Sequence, residues 1–116
     1  TASVSTTNNT TTTLFTLTVP ASTTVAIHGY VAARRTGGSS GTAEDGAYYE
    51  RAVAVKNVAG TATLIGSVAS IATMEDQAGW DATFDVTGAT VRCRILGATN
   101  NNVSWKARLR IMKVSS

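Results

Sequence analysis

The 116-residue sequence has one histidine, one proline and one cysteine, and only 15% of it is charged. Each scarcity excludes something. A single histidine, His28, cannot build a two-histidine metal site within one chain. It alternates with Ile27 and Gly29 and reads as a solvent-facing or interfacial strand residue. A single cysteine, Cys93, excludes an internal disulfide and any multi-cysteine metal site. Set between Arg92 and Arg94, it reads as a small apolar core residue. Pro20 has no N–H for a ladder and stops or edges the strand before it. No run approaches the ~18 consecutive apolar residues of a membrane helix, and no basic-then-apolar segment opens the chain, so membrane insertion is not expected. The chain opens on Thr rather than Met, which points to a cut or processed start.

The carboxylates are also few. Glu75, Asp76, Asp81 and Asp85 do not follow the spacing of a calcium-binding EF-hand loop. Asp81 and Asp85 share one parity of "WDATFDV", opposite Trp80, Ala82, Phe84 and Val86, and read as a solvated or salt-bridged strand face. Glycoside hydrolysis needs two carboxyl groups facing across a sugar, and nothing in the spacing makes any two converge. The stretch "TGGSSGTAEDG", residues 36–46, lacks the G-K-[ST] ending and the following helix of a phosphate loop. No catalytic residue, metal or cofactor is assigned, and an enzyme is not expected.

What is present is alternation of apolar and polar residues, the signature of half-buried strands. Residues 1–10, "TASVSTTNNT", are polar and without period and read as a flexible lead-in, leaving residues 11–116 as one domain. Leu14, followed by Phe15, Leu17 and Val19, opens the pattern, and "TTVAIHGYVAARR" puts Val25, Ile27, Val31 and Ala33 on one face, with Gly29 marking a bulge or a close backbone approach. Past the glycine-rich loop, "AYYERAVAVKNV" sets Tyr49, Arg51, Val53 and Val55 against Tyr48, Glu50, Ala52 and Ala54. "TATLIGSV" is a short strand, and "ASIATMEDQAG" reads as an irregular connection. Turns every 8–12 residues predict an all-β antiparallel sandwich or jelly roll of about 7–8 strands.

Two features stand out as candidate contact surfaces. The segment "VRCRILGATNNNVSWKARLRIMKVS", residues 91–115, reads as a hairpin about Asn100. It places Val91, Cys93, Ile95, Trp105, Ala107, Leu109 and Ile111 on one face, and Arg92, Arg94, Lys106, Arg108 and Arg110 on the other. Like charges facing each other across a hairpin are unfavourable, so these five are expected to meet carboxylates of the sheet or of a second subunit. The face carries no aromatic residue on which bases could stack, which disfavours nucleic acid. The second feature is the loop at 36–46, where Glu44 and Asp45 stand beside Tyr48 and Tyr49 and are expected to contact a receptor or partner.

The segments "GAYYERAVAVKNVAGTATLIGSV" and "WDATFDVTGATVRCRILGATNNNVSWKARLRIMKV" resemble the C-terminal β-domain of many tailed-bacteriophage fibre and virion-surface proteins. The resembling steps are Gly46-Ala47-Tyr48, Leu64-Ile65-Gly66, Trp80-Asp81, Val91-x-Cys93-x-Ile95-x-Gly97-Ala98 and Trp105-x-Ala107, over roughly residues 23–114. Cys93 departs from the small aliphatic residue usual there. The resemblance implies a homotrimer on the virion surface and brings no catalytic residues. The surface short of Lys and Glu and rich in Thr and Ser agrees with a virion protein. The expected role is structural: a tail-fibre or tail-tip domain in host attachment, in contact with other virion proteins and with a host-surface glycan or protein. The alternatives are a capsid decoration protein and a carbohydrate-binding module. The latter would need its platforms from Tyr30, Tyr48 and Tyr49.

Overall fold

Period-two alternation makes a strand apolar on one side only, and two such surfaces are hidden together by stacking two sheets. A computed structural model, which describes residues 2–116, has this architecture. Its nine strands are β1 (Ala2–Thr6), β2 (Thr12–Thr18), β3 (Thr23–Gly38), β4 (Gly46–Val58), β5 (Thr61–Leu64), β6 (Ala69–Glu75), β7 (Asp81–Thr87), β8 (Thr90–Leu96) and β9 (Asn101–Ser115). There is no helix among the described residues. The strands form an antiparallel β-sandwich. A six-stranded sheet runs β1-β9-β3-β4-β5, with β6 also paired to β4, and a three-stranded sheet runs β2-β8-β7. β4 has 13 residues, so its free edge holds β5 along Val55–Val58 and β6 along residues 47–52.

The two sheets differ in length. β3 and β9 have 16 and 15 residues, whereas β2, β7 and β8 have 7 each. At about 3.3 Å per residue, β3 alone spans roughly 53 Å, which matches the 50 × 23 × 22 Å extents of the molecule. The core lies between the sheets. Trp80 and Trp105 meet there with ring centroids 5.8 Å apart, and Tyr49 lies 6.4 Å from Trp105 on ring centroids. Phe84 of the short sheet packs onto Gly29 of the long one. A Cβ at Gly29 would sit 2.9 Å from its ring, so this glycine marks a close approach and not a bulge. The buried Arg51 donates from Nε to the Ala82 carbonyl at 2.9 Å and from Nη1 to the Ala72 carbonyl at 2.7 Å. Asp81 lies 3.5 Å away. Arg51 thereby ties β6 and the short sheet to β4, and these partners offset the cost of burying its charge.

Four sequence expectations are corrected. First, residues 91–115 do not form a hairpin. β8 pairs with β2 and β7, whereas β9 pairs with β1 and β3 in the other sheet. The chain crosses between sheets at Gly97, where a Cβ would lie 2.7 Å from Thr6 Oγ1. Two amphipathic strands in succession look alike whether they pair side by side or arch across a core, because the apolar faces meet in both cases. Second, Ala2–Thr6 is a strand and not a flexible lead-in. It pairs with β9 through Ala2↔Ala107 to Thr6↔Val103, and Thr6 is buried. Thr1, the first residue of that expected lead-in, lies outside the described residues. Third, Ala69–Glu75 forms edge strand β6 in place of an irregular connection. Its mostly exposed side chains hide the alternation that would have marked it. Fourth, β3 extends to Gly38 and β4 begins at Gly46, so the loop between them is only 39–45.

Candidate functional site

The outer face of the six-stranded sheet carries rungs of side chains set by strand register. One rung runs Lys106, Ala32, Tyr48, Met74 across β9, β3, β4 and β6. The next runs Arg108, Tyr30, Glu50, Ala72, and the one after it Arg110, His28, Ala52, Ala69. Beyond these the face turns apolar with Met112, Ala26 and Ala54, beside which Ile65 accompanies Leu64 at the end of β5. A cleft of about 670 Å³ opens at that end, lined by Ala26, Ala54, Ile65, Ile111 and Met112 among others.

The polar rungs form a connected site. Glu50 accepts from the Tyr48 hydroxyl at 3.0 Å and lies 2.7 Å from His28 Nε2. The His28 ring stacks on Tyr30, with centroids 4.6 Å apart and planes 10° from parallel. Partial burial, then the bond to Glu50, pushes the Tyr48 phenol up from its ordinary value. Lys106, Arg108 and Arg110 are exposed, and among the described residues no carboxylate lies within ion-pair distance of them. Tyr30, Ala32, Tyr48, Lys106, Ala107 and Arg108 line a slot of about 330 Å³.

The five cations expected on one face are thus divided between the two outer faces of the sandwich. Arg92 and Arg94 belong to the short sheet. Arg92 makes a bidentate pair with Asp85 on β7, at 2.7 and 2.8 Å, so the expected relief by a carboxylate within the sheet holds for this residue. Lys106, Arg108 and Arg110 remain together on β9. They lie beside Tyr30 and His28, because β9 pairs with β3 and not with β8. The basic face therefore does have aromatic neighbours, contrary to the sequence reading. Alternation in "HGYVA" already set His28, Tyr30 and Ala32 on one polar face; what the sequence lacked was the identity of the neighbouring strand.

The loop candidates come apart. Tyr49 is fully buried in the core, and its hydroxyl donates to Glu75. Burial, followed by that bond, raises its phenol far above the ordinary range. Asp45 is buried and accepts from the Thr42 amide at 2.9 Å and from Gln77 Nε2 at 2.6 Å. These bonds, the amide's first, hold its carboxyl below the usual carboxylate value. Asp45 staples the loop and does not present itself to a partner. Glu44 is exposed and pairs with Arg34 at 3.3 Å. Only Tyr48 joins the site on the outer face.

No protein-family model matches the chain, and no curated protein does. Among solved structures it is similar to the tailspike protein of Acinetobacter phage vB_ApiP_P1. The TM-score is 0.43 and the sequence identity 13%, over 98% of this chain and 22% of the tailspike. The chain thus spans less than a quarter of that protein, and a likeness at this level carries no argument about activity. The fold rests on the strand registers above.

Proposed function

We propose that this chain is a structural virion domain of a tailed phage, a tail-fibre or tail-tip module that attaches to the host surface through the outer face of its six-stranded sheet. The observation that carries the proposal is the cluster of Tyr30, Tyr48, Lys106, Arg108 and Arg110. Such side chains, set on rigid paired strands without ionic partners of their own, are those a surface keeps for a ligand. The phage placement draws on the sequence resemblance and on the hydroxyl-rich, charge-poor composition. The role is binding, with no catalytic step, and assembly as a homotrimer belongs to the same proposal.

An antibody against the chain should mark the tails of particles assembled from the genome that encodes it. The purified protein should coat host cells, and Tyr30→Ala combined with Arg108→Ala should abolish coating while leaving the far-UV circular dichroism unchanged. Marking of the capsid shell, with no coating of cells, would replace this reading with capsid decoration.

A further inference from the structure

We infer that the slot over Ala32 binds a single carboxylate-bearing sugar ring; this rests on the proposed reading of the outer face as the attachment surface. His28 covers one side of the Tyr30 ring. The next side chain along β3 on the same face is Ala32, a bare methyl. Residues two apart on a strand are separated by about 7 Å, so a ring laid against the open side of Tyr30 comes to rest above that methyl. Tyr48 and Lys106 are the cross-strand neighbours of Ala32 and close the slot on its two flanks. Its volume of about 330 Å³ is at the small end of the roughly 300–1,000 Å³ of small-molecule sites. It therefore suits one ring and not a long peptide.

Charge and hydrogen bonding narrow the class further. Lys106 and Arg108 both line the slot, and Arg110 stands one rung on, whereas Glu50 is the single carboxylate on these rungs. Two unpaired cations at one rim call for an anion, and a guanidinium holds a carboxylate bidentately. Glu50 is fixed by Tyr48 and His28. Glu50 does not line the slot; by accepting the Tyr48 hydroxyl proton in a hydrogen bond it leaves the Tyr48 phenol oxygen, which does line it, to accept from hydroxyl groups, which a sugar has and a simple anion lacks. A single-stranded nucleic acid would need a positive groove tracking its backbone over several nucleotides. The column here has three cations and ends at Ser104 on one side and Met112 on the other.

Three probes test the inference on the intact chain by amide chemical-shift mapping and calorimetry: trigalacturonate, its carboxyl-reduced form, and a single-stranded oligothymidylate. Trigalacturonate should shift the amides of residues 30–32, 48 and 106–108, and the carboxyl-reduced form should bind at least tenfold more weakly. Arg108→Gln and Lys106→Gln should erase that difference, and Tyr30→Leu should weaken both sugars alike, all three variants keeping the parent melting temperature. Equal binding of the two sugars, no shifts at millimolar trigalacturonate, or tighter binding of oligothymidylate would each overturn the inference. If cell coating depends on this face but millimolar trigalacturonate does not compete, the sugar class fails while the attachment reading stands. If trigalacturonate binds in the slot but the antibody marks no particle, the slot stands and the virion reading fails.

Discussion

A hydrogen bond between Trp105 and Thr6 links the polar segment Ala2–Thr6 to the core. The indole of Trp105 is buried against Trp80 and Tyr49, and its N–H donates to Thr6 Oγ1 at 2.9 Å. Trp105→Ala should cost about 3–5 kcal/mol, a large share of the roughly 5–15 kcal/mol that holds a small domain together. Thr6→Val keeps the shape but strands the buried indole donor, and should cost about 1–3 kcal/mol. Urea denaturation of the two variants checks both values, and an unchanged midpoint for Thr6→Val would show that the bond to Trp105 adds nothing to stability. Sequence had marked Trp105 as core but set it opposite Ile95, whereas its cross-strand partners are Val4 and Ala33. Cys93 is the small core residue expected, and burial pushes its thiol up to about 11, so it stays protonated and unreactive near neutral pH.

At the level of the element, β1 and β6 are the strands that sequence missed, for opposite reasons. β1 is too short and too rich in Ser and Thr to display a period, yet it seals the edge of β9 and partly buries Ala2 and Val4. β6 is an edge strand whose residues are nearly all exposed, so nothing forces an apolar face on it. Deleting residues 2–6 uncovers the β9 edge around Trp105 and removes its hydrogen-bond acceptor. The melting temperature should fall by about 10 °C or more for a loss of a few kcal/mol in a domain of this size. Removal of a merely flexible lead-in would leave it unchanged, so differential scanning calorimetry separates the two.

For the whole molecule, the outer face of the long sheet is divided end to end. Its loop-proximal part carries the tyrosines and free cations, and its other end exposes Ile65, Met112 and Val114 at 44%, 72% and 69%. A surface with so little charge seldom leaves several large apolar side chains together unless another surface covers them. In the proposed homotrimer a neighbouring copy covers this end and leaves the slot over Ala32 open. Light scattering at micromolar concentration should then give three times the 12.0 kDa chain mass. Met112→Asp with Ile65→Asp should shift it toward the monomer, because a charge buried at an interface must be desolvated without a partner. A parent chain that scatters at 12.0 kDa would remove the trimer.

Local backbone geometry was legible from the residues alone. Successive side chains of a strand point to opposite faces, so the order of apolar and polar residues determined an all-β chain. It also determined that Tyr49, Arg51, Val53 and Val55 share one face and His28, Tyr30 and Ala32 another. Which strand lies beside which was not legible. Partners such as Tyr30 and Arg108 are distant in sequence, and their approach is set by how two unequal sheets close over one core. The sandwich therefore decided three things that parity left open: that β8 and β9 arch apart, that Tyr49 is core whereas Tyr48 is surface, and that three of the five cations meet two tyrosines. A strand's own alternation specifies only which residues share a face; which face turns inward, and which strand lies on each side, are chosen by long-range pairing.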